Sequence, residues 1–485
     1  MKKILSVLIA ASLLLMSSCK KSFIDILPVS TVTIDNLYKT NKDFLDATTG
    51  AYVALRSTYT DMWQFGDLRG DDSWIQISNQ PNSTAIDLFS INSSNPLLVS
   101  MWSNNYVVIS RVNMLLSRIQ DADPAVVTDK ERFIGEAKFM RALAYFNLVR
   151  IFGDVQMITD PLTVDETAAT PRIPPSTVYS EVIIKDLVDA AEKLPVEYST
   201  SEVGRATKGA AKAILGKVYL TVGDFVKAET VLRELTQVPF KYDLLPDFNY
   251  LYNYTADEHH SEYIFDIEYE EGLGNCGSVW TNNFMPNCTP LLNYYGITGG
   301  FNESLCPTER LIDLFPAGDL RKDVSVQCCG SFTNPETGEV AYFHSSTSQS
   351  YTKKYITPVA TNGDSRANWK VIRFADVLLM YAEALNENGK TDLALGQLNR
   401  VRTRAGLDAY TDLSQEEARE SIEIERRLEL CFEGHRWFDL VRTGKAMDAC
   451  ADQGMKDYMT VFPVPLREVQ VINDHTIFPQ NQGYN

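Results

Sequence analysis

Three short runs of this sequence combine large aromatic rings with amide or carboxylate side chains. DLRGDDSWIQ carries Trp74 behind Asp71 and Asp72, GSVWTNNFMPN carries Trp280 ahead of Asn282 and Asn283, and LLNYYGITGG carries Tyr294 and Tyr295. A sugar ring presents flat apolar C–H faces edged by hydroxyls, so aromatic platforms flanked by Asn, Asp or Arg suit it chemically. The competing reading places each ring in the core, where large aromatics are commonly buried. Asp71 and Asp72 also form a carboxylate pair, but sequence neighbours on a strand or helix point apart, and no second pair stands out to complete a glycosidase. The histidines (His259, His260, His344, His435 and His475) form no HExxH motif, and GxSxG, phosphate-loop and EF-hand motifs are missing. Binding without catalysis, and without metal or cofactor, is the expectation.

A second group of ionisable residues has helical spacing. In IEIERRLELCFEGHRWFDLVRTG, Ile422 to Gly444, Glu425, Glu429 and Glu433 recur every four residues among Arg426, Arg427, His435, Arg436 and Asp439. Trp437 and Phe438 bring large apolar area beside them. This pattern predicts a partly buried ion-pair network that locks the last helices onto the rest of the chain.

These residues need a frame, and the sequence predicts a mainly α one. From Asp129 to Gly153, apolar residues recur at three- and four-residue spacing, and the glycine ends the run. In AKAILGKVYLTVGDFVKAETVL, Leu215, Gly216, Tyr219, Gly223, Phe225 and Ala228 fall at the offsets of a tetratricopeptide repeat. A second hairpin repeats them with Ala382, Leu385, Gly389 and Ala394. Between the hairpins lies a loop-rich, partly β insertion with strand-like runs such as SEYIFDIEYE, a natural place for a binding face. The expected organisation is a leader over 1–18, a helical region over 19–238, the insertion over 239–367 and a C-terminal helical region over 368–485.

The N-terminus supplies the location. Lys2 and Lys3 precede an apolar stretch from Ile4 to Met16, then Ser17, Ser18 and Cys19, a signal peptide whose small residues before a cysteine predict cleavage and acylation at Cys19. Cleavage takes two lysines and no acid, moving the formal charge from −18 to −20. Such an acidic chain is a poor partner for nucleic acid. Of the 8 cysteines, Cys276, Cys288, Cys306, Cys328 and Cys329 cluster at spacings that fit no zinc site, which in an exported protein predicts local disulfides. Cys431, in an apolar helical run, is expected to be a buried free thiol.

The run from Ile422 to Gly444 resembles the SusD/RagB family of outer-membrane nutrient-binding lipoproteins. CKKSFIDILP from Cys19, FMRALAYFNLVRIFGDV at 139–155 and the tail VFPVPLREVQVINDHTIFPQNQGYN carry the same resemblance, in order, along the mature chain. It implies a SusD-like fold of tetratricopeptide-like helices and a loop-rich lobe, on the cell outer membrane and facing the surface. It also implies a SusC-like TonB-dependent barrel transporter as partner, on which the protein sits as a hinged lid delivering oligosaccharide. The family's sugar-stacking aromatics come from one N-terminal loop and from the loop-rich lobe, regions that hold Trp74 and Trp280 here. Two rival readings remain: a peptide binder of the same fold, with a deep polar groove and few stacking rings, and a helical adaptor for protein assembly.

Overall fold

The computed structural model describes residues 37–76, 80–199, 201–254, 258–328, 331–342 and 350–484. The leader, Cys19 and Cys329 lie outside them. Helices follow one another through the first half of the chain: α1 Asn41–Tyr59, α2 Pro96–Ile119, α3 Lys130–Phe152, α4 Ile184–Lys193, α5 Lys208–Thr221 and α6 Phe225–Leu235. Each packs against the next. Thr40 begins α1 with a capping box shared with Asp43, and Asn95 caps α2, satisfying amides that have no partner inside the helix. The stop at Gly153 is as expected. Most of α3 is buried all round, because α2 and α4 cover opposite sides of it.

Both hairpins form. Helices α5 and α6 are antiparallel neighbours, as are α7 Phe374–Glu387 and α8 Thr391–Arg404. A Cβ on Gly216 would sit 2.4 Å from Leu232 Cδ2, so only glycine lets α5 and α6 close to this distance. Although the insertion separates them in sequence, α6 packs directly on α7. The greater part of the insertion can leave and return because the strands on either side of 268–368 pair. In this antiparallel pair, β2 Tyr263–Ile267 meets β4 Trp369–Arg373, with Tyr263 opposite Arg373 and Ile267 opposite Trp369. Both faces of β4 are buried, unlike a half-exposed strand, and Asp266 is therefore neutralised inside by Lys370 at 3.2 Å.

One hydrophobic core runs from Phe44 to Phe478 and takes in insertion residues such as Phe284 and Tyr355. A smaller one, around Met285, Leu291, Ile297 and Val359, belongs to the insertion alone. The expected local disulfides do not form at Cys276, Cys288 or Cys306, which are free thiols; Cys288 and Cys306 are buried and pack as small apolar side chains. Cys328 is disulfide-bonded. Cys431 is the buried free thiol the sequence predicts.

Two C-terminal helices, α9 Gln415–Leu430 and α10 Arg436–Arg442, carry the ionisable cluster into the interior. Glu429 accepts from Arg373 at 2.5 Å and Arg321 at 3.1 Å, and also pairs with Arg404. Glu433 is gripped by Arg373 Nε at 2.8 Å and Lys354 at 2.7 Å, and the Tyr252 hydroxyl donates to it. Glu425 pairs with Arg321 at 2.6 Å and Arg402 at 3.3 Å, while Glu262 holds Arg373 and Arg404, and Asp319 holds Arg321. Burial raises the Glu429 carboxyl, but Arg404, Arg373 and Arg321 outweigh it and bring the pKa from 4.5 down to about 2. A carboxylate depressed in this way stabilises the fold above its ordinary range and loses that contribution as pH falls through the folded value. Glu429→Ala should therefore lower the unfolding midpoint by a change worth about 3 to 5 kcal/mol. In Glu429→Gln, the fall in stability between pH 4.5 and about 2 should be shallower than in the parent, as read by denaturant unfolding across that range.

Candidate functional site

Trp74 lies on a two-residue strand, β1 Ser73–Trp74, antiparallel to β3 Cys306–Pro307, with Trp74 opposite Cys306. Side chains alternate across an extended segment. Here Ser73 and Ile75 point into the protein and are fully buried, while Trp74 and Gln76 are partly exposed. The ladder continues outward, with Gln76 N–H donating to the Glu303 carbonyl at 3.2 Å. The same segment of the insertion then bonds to the Trp280 run: Asn302 N–H donates to the Asn282 carbonyl at 3.1 Å and Ser304 N–H to the Asn283 carbonyl at 2.9 Å. Backbone pairing thus brings two of the three sequence-predicted runs to one surface.

A row of amides follows along the same paired segments. Gln80 donates to the Asn302 carbonyl at 2.8 Å and accepts from Ser304 Oγ at 3.0 Å, while Asn302 Nδ2 donates to Asn283 Oδ1 at 2.7 Å. These bonds fix the amides in orientation. They leave Asn283 Nδ2 and Asn302 Oδ1 without a partner among the described residues, one donor and one acceptor at the surface. Gln76, Gln80 and Asn302 were not singled out in the sequence. Gln76 and Gln80 follow Trp74 closely, a signal available to inspection, whereas Asn302 is brought in only by the pairing of distant strands.

The other candidates are placed differently. Trp280 is fully buried, with ring centroids 4.6 Å from Tyr269, 5.2 Å from Trp369 and 5.6 Å from Tyr355. It is the centre of an aromatic core and offers no face to a ligand. Asn282 is buried too, donating to the carbonyls of Thr298 and Gly300 and accepting from Gly363 N–H, so its amide ties loops together. Asp71 and Asp72 face inward to a cationic fork. Arg436 Nε donates to Asp71 at 2.7 Å, Arg427 Nη2 to Asp71 at 2.9 Å and Arg427 Nε to Asp72 at 2.7 Å. They are clamps between the Trp74 segment and the last helices, not ligand contacts, because two buried carboxylates so close require this compensation. Tyr294 and Tyr295 stack edge to face at 5.0 Å on the small second core, with Tyr294 37% exposed and close to Phe332. Tyr294 keeps a usable face; Tyr295 is half-buried, and burial pushes its hydroxyl up to about 12.

Two cavities lie elsewhere. One of about 440 Å³ is walled by α7, α9 and α10, and its Arg419, Arg442 and Lys445 are already paired with Glu387, Glu383 and Glu423. Another, of about 430 Å³, lies between residues 196–207 and 239–264. Among the described residues no cluster of His, Cys, Asp and Glu has the geometry to hold a metal, and no helix is long and apolar enough to cross a membrane.

Comparison with known proteins matches residues 321–483 to the SusD family and residues 23–220 to the family described as starch-binding, associating with outer membrane. A solved laminarin-binding SusD-like protein is 31% identical, with a TM-score of 0.79 over 92% of this chain and 100% of that one. SusD-like protein P2 of Formosa agariphila is 27% identical over 94% of this chain and 95% of its own. Surface glycan-binding protein A from Bacteroides fluxus, 23% identical, shares the fold with a TM-score of 0.78 over 92% of this chain and 100% of that one. The likeness extends along nearly the whole length, and the chain belongs to the SusD family.

Proposed function

We propose that this chain is a non-catalytic glycan-binding protein of the outer membrane, and that the Trp74 surface takes the glycan. The observation that carries this reading is a partly exposed Trp74 on a segment bonded to a row of amides already fixed in orientation, with Asn283 Nδ2 and Asn302 Oδ1 left without a partner among the described residues. Stacking would hold the apolar face of a sugar, and the amides would exchange water for its hydroxyls at little net gain, so affinity is modest and depends on the ring. The 31% identical relative is named for binding laminarin, which makes laminarin the first glycan to offer this protein. Tyr294, on the insertion, is a secondary platform.

We further propose that Cys19 is acylated after removal of residues 1–18 and anchors the protein at the cell surface, where it passes glycan to a SusC-like TonB-dependent barrel transporter. An acidic, lipid-anchored binder has no means of its own to move a polar ligand across a membrane, so a transporter is the natural partner.

Calorimetry with laminarin and a glycan panel tests the site. Trp74→Ala should weaken binding several-fold, on the order of 1 kcal/mol, with an unchanged melting temperature. Trp280→Ala should lower the melting temperature sharply, since removing a fully buried aromatic costs about 3 to 5 kcal/mol. Undiminished binding by Trp74→Ala would move the site elsewhere, and binding of peptides but no glycan would replace the ligand class. Cys19→Ala should shift the protein out of the outer-membrane fraction; unchanged retention, with no lipid on the parent protein by mass spectrometry, would remove the anchor.

A further inference from the structure

The segments that carry the Trp74 surface are almost free of charge. Residues 73–86 contain no Asp, Glu, Lys or Arg, residues 272–308 contain only Glu303, and residues 340–352 contain none, in a chain that is 22% charged. Backbone pairing joins the first two segments, and Ser350 Oγ, donating to the Pro307 carbonyl, fastens the third to them. Their polar side chains are chiefly those of Ser, Thr, Asn and Gln.

The ionised groups at the margins already have partners. Glu303 is buried and its Oε1 accepts from Asn287 N–H at 2.7 Å, while Asp87, just after the first segment, is buried and accepts from Ile75 N–H at 3.2 Å. Arg310, just beyond the second segment, is drawn toward the inner clamp, 3.6 Å from Asp71 and donating to the Ala449 carbonyl at 3.2 Å. Lys353, just past the third, pairs with Asp323 at 2.7 Å. Each of these two cations thus has a carboxylate of its own.

Neutral amides and hydroxyls match sugar hydroxyls, because both sides can donate and accept. A carboxylate or sulfate only accepts, and taking it out of water onto such a surface costs free energy that a cation would have to offset. At longer range the formal charge of −18 repels a polyanion as well. Resting on the glycan-binding reading above, we propose that the Trp74 surface selects uncharged glycans and rejects those that bear uronate or sulfate groups. Charge, not bulk, is what it discriminates.

The test is calorimetry of the full chain in detergent, at low and high sodium chloride, with laminarin, amylose, xylan and galactomannan. Each is offered unmodified, carboxymethylated and, as a neutral control of similar bulk, hydroxyethylated; alginate, polygalacturonate and sulfated laminarin complete the panel. An unmodified glycan should bind with an affinity that salt leaves unchanged, its hydroxyethylated form should bind comparably, and its carboxymethylated form should bind about tenfold more weakly or not at all. Equal rejection of the hydroxyethylated form would make the discrimination one of shape and overturn the proposal. An anionic glycan bound as tightly as a neutral one, and released in Trp74→Ala, overturns the selectivity and leaves the glycan site in place. Binding that survives Trp74→Ala moves the site, and no binding by any glycan removes the glycan reading; the selectivity falls with either.

Discussion

Arg373 stands where the insertion rejoins the frame, and its guanidinium contacts Glu262, Glu429 and Glu433 at once. Around it, the insertion and the C-terminal helices both contribute charges: Arg321 and Lys354 from the insertion, Arg404 from the end of α8, Glu425 and Glu429 from α9, and Glu262 from the approach to β2. Removing such charges from water is costly, and a well-packed apolar substitute of the same volume would often be no less stable. The lattice therefore contributes specificity. Any arrangement that moved the insertion relative to the last helices would strand a buried charge, so only one docking of the two is compatible with a folded chain.

The proposed binding surface depends on this docking through a second, smaller ionic clamp. Arg427 and Arg436 leave the helices that carry the lattice and seize Asp71 and Asp72. Directly upstream, a Cβ on Gly66 would lie 2.5 Å from the Gly434 carbonyl oxygen, so backbone meets backbone there, and Asp67 accepts from Gly434 N–H at 2.8 Å. Trp74 thus extends from a segment fastened on its inner side to the helices that carry the charge lattice. A ring held in this way loses little freedom when it stacks on a ligand, which favours binding by surfaces too open to enclose one.

What the sequence reveals follows from how locally each feature is determined. The two hairpins, the stop at Gly153 and the buried thiol of Cys431 rest on periodicity and small residues within a few turns, and they were legible. The charged cluster of the last helices was legible as a network because its glutamates share a helical face, but its partners Arg321, Lys354 and Arg373 lie in the insertion or at its edge and could not be named. Trp74 and Trp280 stand in similar polar surroundings in sequence, and only the pairing of 302–307 with both runs decides that one ring points out and the other in. Asp71 and Asp72 misled for a related reason: a carboxylate pair looks the same whether it awaits a ligand or an arginine far along the chain. The cysteine cluster shows the limit of counting, since Cys288 and Cys306 serve as packing atoms at 1% exposure.

The paired strands at the root of the insertion have a consequence for how this lobe can change over time. Because β2 and β4 lie side by side, the chain between them begins and ends at nearly one place, and the entropic penalty for lengthening such an excursion grows only logarithmically with its length. The lobe can therefore be recast, residue by residue or wholesale, while the helical frame is preserved, provided that one condition is met. Arg321 and Lys354 are supplied from within it, so a replacement must return two cations to the same interior positions or leave Glu425, Glu429 and Glu433 underneutralised. Diversification of the lobe would then be free at its surface and tethered at two points inside, the pattern expected of an exchangeable recognition cassette with a charge-coded plug.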